Sequence, residues 1–134
     1  MTTVRPAVYV ASRASVPERA AMWRELRAAG ARIISTWIDE DEEGLTDCFG
    51  ELWTRIEAEI RSVDRLVLYA ELSDFPLKGA YVEVGMALAL GKPVYVVTPG
   101  VKLDSRSLRP VGSWAAHPLV SFHDEVGPPV FGTV

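Results

Sequence analysis

The sequence of 134 residues has one cysteine, Cys48, and two histidines, His117 and His123. An internal disulfide is therefore excluded, and no spacing of Cys and His resembles a zinc or iron site, so the expectation is a reducing, cytoplasmic, metal-free setting. Hydrophobic runs are short. Nothing approaches the roughly 20 apolar residues of a membrane span, and the run Ala7 to Ala11, between Arg5 and Arg13, is too short for a secretory signal. Positive charge is also in deficit: the formal net charge is -4, and seven acids (Asp39, Glu40, Asp41, Glu42, Glu43, Asp47, Glu51) fall together without a base among them. A polyanion needs a basic patch, so nucleic acid and anionic membranes are discounted as partners. The acidic run lacks the alternating ligands and turn glycine of a calcium loop and reads as a solvated loop. Phosphate-cradling glycine loops are missing too. No GxGxxG follows the first apolar run and no GxxxxGK[ST] occurs, which speaks against dinucleotide and ATP sites of those types and leaves no cofactor expected.

What is present is the composition of a folded chain, 49% hydrophobic and 24% charged, long enough to bury about two-thirds of its unfolded surface as one domain over residues 1–134. The residues from about 124 onward, with Pro128 and Pro129 and no periodicity, read as an irregular tail. Five apolar runs read as strands: Ala7 to Ala11, Arg32 to Thr36, Arg65 to Ala70, Pro93 to Thr98 and, as a possible fifth, Leu119 to Phe122. Helical signals alternate with them. Ser15 and Glu18 have capping-box spacing ahead of Pro17, and that helix stops at Gly30. Thr46 or Asp47 is placed to cap a second helix, whose Phe49, Leu52, Trp53, Ile56, Ile60 and Val63 share one face. A third runs from Gly79 to Leu90. Alternation of helices with continuously apolar strands implies an α/β three-layer sandwich with a parallel sheet of four to five strands, and ligands beyond the strands' carboxyl ends.

The third helix, GAYVEVGMALAL, carries one ionisable acid or base, Glu83, among apolar and small residues. A helix of that composition is expected to be buried on most sides, where a carboxylate is costly unless water, a partner or the helix N-terminus supports it. A glutamate one turn into a helix also complements the dipole with no further role, but here its apolar company and its place at the ligand edge point to function. At the start of the first helix, Ser12, Arg13 and Ser15 suit a small anion, and equally Ser15 can serve as a cap with Arg13 in solvent.

The block KGAYVEVGMALALGKPVYVV, after an apolar strand ending in Tyr69, resembles the nucleophile region of the nucleoside 2-deoxyribosyltransferase-like family, which includes deoxynucleoside-monophosphate N-glycosidases. The pattern Gly-x-x-x-Glu-x-Gly-x-Ala carries the likeness, supported by Tyr9 in the first strand, LRAAGARIIS and ELWTRIEAEIRSVD; it spans most of residues 7 to 122. The resemblance implies a flavodoxin-like sheet, Glu83 as nucleophile, Tyr9 as the tyrosine that orients it, Gly79 at the substrate, and an oligomer. Family members with transfer activity carry a further acid in the helix before strand three, another shortly before the nucleophile, and a carboxyl-terminal asparagine from a neighbouring subunit. Glu57, Asp74 and Glu71 are the candidates for the acids, and the tail has no asparagine. Asp64 precedes strand three, at the opposite sheet end, and reads as structural.

These residues make N-glycosidic cleavage or base exchange on a deoxyribonucleoside or its 5′-monophosphate the leading expectation. Glu83 attacks the anomeric carbon, and Asp74 is the candidate second acid. Trp37, after the second strand, is placed to stack on a base, whereas Trp53 lies on the core stripe; Thr98, which ends the fourth strand, is expected to contact substrate, and His117, which follows with Trp114 in a later loop, is a candidate contact or a loop hydrogen-bonder. The alternative is a non-catalytic module that binds a nucleotide-derived ligand on the same fold. A homodimer or higher homo-oligomer is expected on a second ground, because a helix apolar around its circumference exceeds what one sheet face covers.

Overall fold

The computed structural model describes residues 5–40 and 48–132. Among these residues five strands, β1 (Ala7–Ala11), β2 (Arg32–Ile33), β3 (Arg65–Tyr69), β4 (Val94–Val97) and β5 (Val120–His123), form one sheet in the order β2-β1-β3-β4-β5. All four pairings are parallel. This is the flavodoxin-like α/β order, whose switch point lies between β1 and β3. Helices α1 (Pro17–Ala28), α2 (Phe49–Ser62), α3 (Gly79–Ala89) and the single turn α4 (Pro128–Phe131) cover it.

The period of two along each strand divides the core into two layers. Tyr9, Leu66, Leu68, Val94 and Val96 pack with Ile56 and Ile60 of α2 and Val84 and Ala87 of α3. Val8, Val10, Val67, Tyr69 and Val97 pack on the other face with Trp23 of α1 and with Val130 and Phe131 of α4. Tyr9 thus faces α3, and the tail expected to be irregular ends in a turn with two buried apolar side chains. α3 itself is less enclosed than its composition suggests. Val84 and Ala87 are buried, but Val82 is 52% exposed and Gly85 and Ala89 are exposed as well.

Local signals differ from expectation at three helix and strand ends. Ser15 does not cap α1; its Oγ accepts from Arg13 Nε at 3.1 Å, Val16 is the N-cap residue and Pro17 takes the first helical position. Cys48 precedes α2 at its N-cap, whereas Thr46 and Asp47, and the acidic run from Asp41, lie outside the described residues. The second strand stops at Ile33, and a 3₁₀ turn covers Thr36–Asp39.

That early stop leaves β1 with unpaired backbone, which must find partners elsewhere. Ile34 N–H still donates to the Val8 carbonyl at 2.9 Å. Beyond it, Val10 N–H donates to Ser35 Oγ at 3.1 Å, and Trp37 Nε1 donates to the Val10 carbonyl at 2.7 Å. Two side chains replace the missing strand. Ser35 is fully buried, so Ser35→Ala should strand the Val10 N–H and cost about 1–3 kcal/mol in urea unfolding. A loss below about 0.5 kcal/mol, the level of an ordinary surface substitution, would contradict this role.

Candidate active site

A cavity of about 600 Å³ opens at the carboxyl ends of β1 and β3. Parallel strands place their following loops at this edge, and between β1 and β3 those loops diverge to opposite faces of the sheet. One wall is Ser12 to Ser15 after β1, another is the connection from Asp74 to Ala80 after β3, and Trp37, Leu52, Trp53 and Ile56 supply apolar surface. Tyr9 and Glu83 line it as well.

Tyr9 Oη donates to Glu83 Oε1 at 3.0 Å. The contact spans the interface between β1 and α3, and it arises because the alternation of β1 turns Tyr9 toward that layer. Burial pushes the Glu83 carboxyl from 4.5 up to about 7; the Tyr9 hydroxyl pulls it down and the nearby Glu59 charge pushes it up further. Tyr9 is driven far above the ordinary tyrosine range, first by burial and then by the charge and hydrogen bond of Glu83. It therefore stays a donor at any working pH. The pair holds a carboxylate in a largely apolar cavity with one hydrogen bond aimed at it, the arrangement a nucleophile or an oxocarbenium-stabilising anion requires.

Seven of the nine residues expected at the site line this one cavity: Tyr9, Ser12, Arg13, Trp37, Asp74, Gly79 and Glu83. Ser12 Oγ is buried without a hydrogen-bond partner among the described residues. The Trp37 indole is fixed by its bond to Val10, and Gly79 sits against the Trp53 ring, where a Cβ would approach it at 3.8 Å. Thr98 and His117 stand apart from the cavity. Thr98 is buried at the end of β4, and exposed His117 uses Nδ1 to accept from Leu119 N–H at 3.0 Å. The physical reason is that the chain after β4 folds against α3, with Tyr81 Oη donating to the Val111 carbonyl at 2.6 Å and its ring meeting Trp114 edge-on.

The acids sort differently from their order in sequence. Asp64 Oδ2 accepts from Ala7 N–H at 2.8 Å, a structural bond at the far end of the sheet. Glu57 is exposed and pairs with Arg61 at 3.4 Å. Glu59 is the acid of α2 whose charge reaches Glu83; it accepts from Thr36 N–H and Oγ1 at 3.0 and 2.7 Å. Its position was readable, since it falls three residues after Ile56 and four before Val63 on the inward stripe. Asp74 is buried, with Oδ2 accepting from Glu71 N–H at 2.7 Å and lying 2.8 Å from Arg19 Nη1. Asp74 Oδ2 is thus engaged both by its own loop and by α1. Sequence reasoning passed over Glu40 and Lys78, which also line the cavity; Glu40 is bound by Arg55 at 2.7 Å.

No protein-family model matches the sequence, and no curated protein matches it. Solved structures do match. A 2-deoxyribosyltransferase from Leishmania mexicana superposes with a TM-score of 0.63 at 18% identity, over 90% of this chain and 91% of that one. A CMP N-glycosidase from Clostridium botulinum gives 0.51 at 16% identity, over 93% of each chain. This chain has their fold. The flavodoxin-like fold that the sequence leads one to expect is thus shared with both structures.

The raised carboxyl of Glu83 has a consequence for stability. Unfolded, it ionises near 4.5; folded, near 7. Below the lower value it is neutral in both states. As pH rises through this window the folded state must bear the ionised form, at a cost on the order of 3 kcal/mol at about 1.4 kcal/mol per unit. Glu83→Gln keeps an acceptor for Tyr9 without the charge. Its melting temperature should match wild type near pH 4.5 and exceed it by roughly 5 °C or more at pH 8. Equal melting temperatures at both pH values would show that Glu83 bears no such burden.

Proposed function

We propose that this protein is an enzyme that cleaves the N-glycosidic bond of a deoxyribonucleoside or its 5′-monophosphate, by hydrolysis or by base exchange. The observation that carries this reading is the Tyr9–Glu83 pair at 3.0 Å inside the switch-point cavity. The same fold in a deoxyribosyltransferase and an N-glycosidase supports it.

In the proposed reaction an ionised Glu83 oxygen bonds to the anomeric carbon as the bond to the base nitrogen breaks, and the electron pair leaves with the base. Water or a second base then attacks the same carbon and breaks its bond to Glu83, and the proton the attacking group sheds balances the one the departed base takes up. Tyr9 orients the carboxylate throughout, and Trp37 offers a ring face to the base. Ser12, with its unpartnered hydroxyl, and the cations Arg13 and Lys78 on the cavity wall favour the monophosphate over the free nucleoside. The proposed setting is cytoplasmic, in keeping with the free, exposed Cys48; among the described residues no helix is long and apolar enough to cross a membrane. The proposed assembly is a homodimer or larger, seated on the exposed apolar face of α3 around Val82, and sedimentation velocity reads it directly.

The binding-module reading has one observation in its favour: Asp74 Oδ2 is engaged by Arg19 and by the Glu71 N–H. Incubation with a panel of deoxynucleosides and their monophosphates, with and without an acceptor base, separates the two. Chromatography should detect released or exchanged base, fastest from a monophosphate. Because the nucleophile must be ionised, kcat/KM should rise with pH through about 7 and level above it. Saturable binding with no base released over long incubation would replace the enzyme with the module.

A further inference from the structure

Arg19, on the first turn of α1, is 6% exposed. Its guanidinium lies 2.8 Å from Asp74 Oδ2 and 3.4 Å from Glu71 Oε2, and its carbon sits 4.9 Å from the centre of the Tyr69 ring. Tyr69 Oη donates to Glu71 Oε2 at 2.7 Å, which closes the cluster. Burying a charge pair such as Arg19 and Asp74, with side chains 8% and 3% exposed, is a poor route to stability, because apolar side chains of similar volume commonly do as well or better. The cluster therefore calls for another reason to be there.

Its place in the fold supplies one. Glu71 and Asp74 belong to the connection between β3 and α3, and Asp74, Pro76, Leu77 and Lys78 of that connection form one wall of the cavity. Arg19 begins the helix that follows Ser12 to Ser15, the facing wall. Arg19 stands behind both walls and lines neither. The two ends of the guanidinium reach two carboxylates of the connection, Nη1 to Asp74 and Nη2 to Glu71, a span that a single-point ammonium does not reproduce.

We infer that Arg19 is a positioning residue: through Asp74 and Glu71 it sets the spacing between the two loops that hold the substrate, and so governs binding rather than bond cleavage. The kinetic part of this inference rests on the glycosidic reading above; the structural part does not. Arg19→Met should raise KM about tenfold or more while kcat stays within about threefold, and Arg19→Lys, which keeps the charge but not the fork, should fall between. In the same proteins, hydrogen–deuterium exchange over residues 71–79 should quicken in Arg19→Met, with β1 and β3 unchanged.

Unaltered KM in both variants, or a fall in kcat at constant KM, would overturn the inference, as would unchanged exchange over residues 71–79. If Arg19→Met does not fold, Arg19→Lys alone decides, through the same KM and exchange measurements. If the wild-type protein releases no base, the glycosidic reading fails by itself. Exchange over residues 71–79 then still decides whether Arg19 positions the loop.

Discussion

A carboxylate placed in an apolar cavity needs something to hold it there in ionised form, and in this protein that is the hydroxyl of Tyr9, 3.0 Å from Glu83. The rest of the site follows from this contact. β1 must alternate so that Val8 and Val10 face α1 while Tyr9 faces α3, and α3 must begin close enough to β3 to bring its fifth residue over the sheet. Glu59 works against the ionised form and Tyr9 works for it, and burial outweighs both in setting the carboxyl near 7. The outcome is a carboxyl raised to about 7, whose ionised form is costly enough to weaken the fold that carries it. Strain of this kind, retained where an apolar or neutral residue would be more stable, is characteristic of working sites.

The scaffold commits polar side chains to holding the cavity open. β2 ends after two residues, which leaves room for the Trp37 ring at the cavity, and Ser35 and Trp37 compensate β1 for the lost ladder. On the opposite side of the switch point, Arg19 ties the β3–α3 connection to α1 through Asp74 and Glu71. The first device puts hydrogen bonds, and the second ion pairs, where regular structure would have closed the gap.

Much of this was legible in the sequence, and the limits have physical causes. Continuous apolar runs between amphipathic helices sufficed for a parallel α/β sheet, and a lone acid on GAYVEVGMALAL sufficed to single out Glu83. Strand ends were harder: RIIST has the β-branched composition of a strand throughout, but after Ile33 a turn with two side-chain hydrogen bonds satisfies β1 instead. Asp74 was legible as a residue of the ligand edge and not as the partner of Arg19, because an ion pair between α1 and a loop 55 positions later leaves no local periodicity. Arg19 did leave a trace, standing one turn before Trp23 on the buried face of α1. Thr98 and His117 follow β4 as expected, but the packing of Tyr81 on Val111 and Trp114 directs that segment over α3, a tertiary choice that no spacing encodes.

A nucleophilic Glu83 is the centre of the proposed function, and a covalent sugar would be its most direct signature. Wild-type protein mixed with a deoxynucleoside monophosphate, quenched in milliseconds and digested, should yield the peptide containing Glu83 with the added mass of one deoxyribose 5-phosphate, and Glu83→Gln should yield none. Release of base at the wild-type rate by a well-folded Glu83→Gln protein, with the sugar found on another residue or on none, would contradict it.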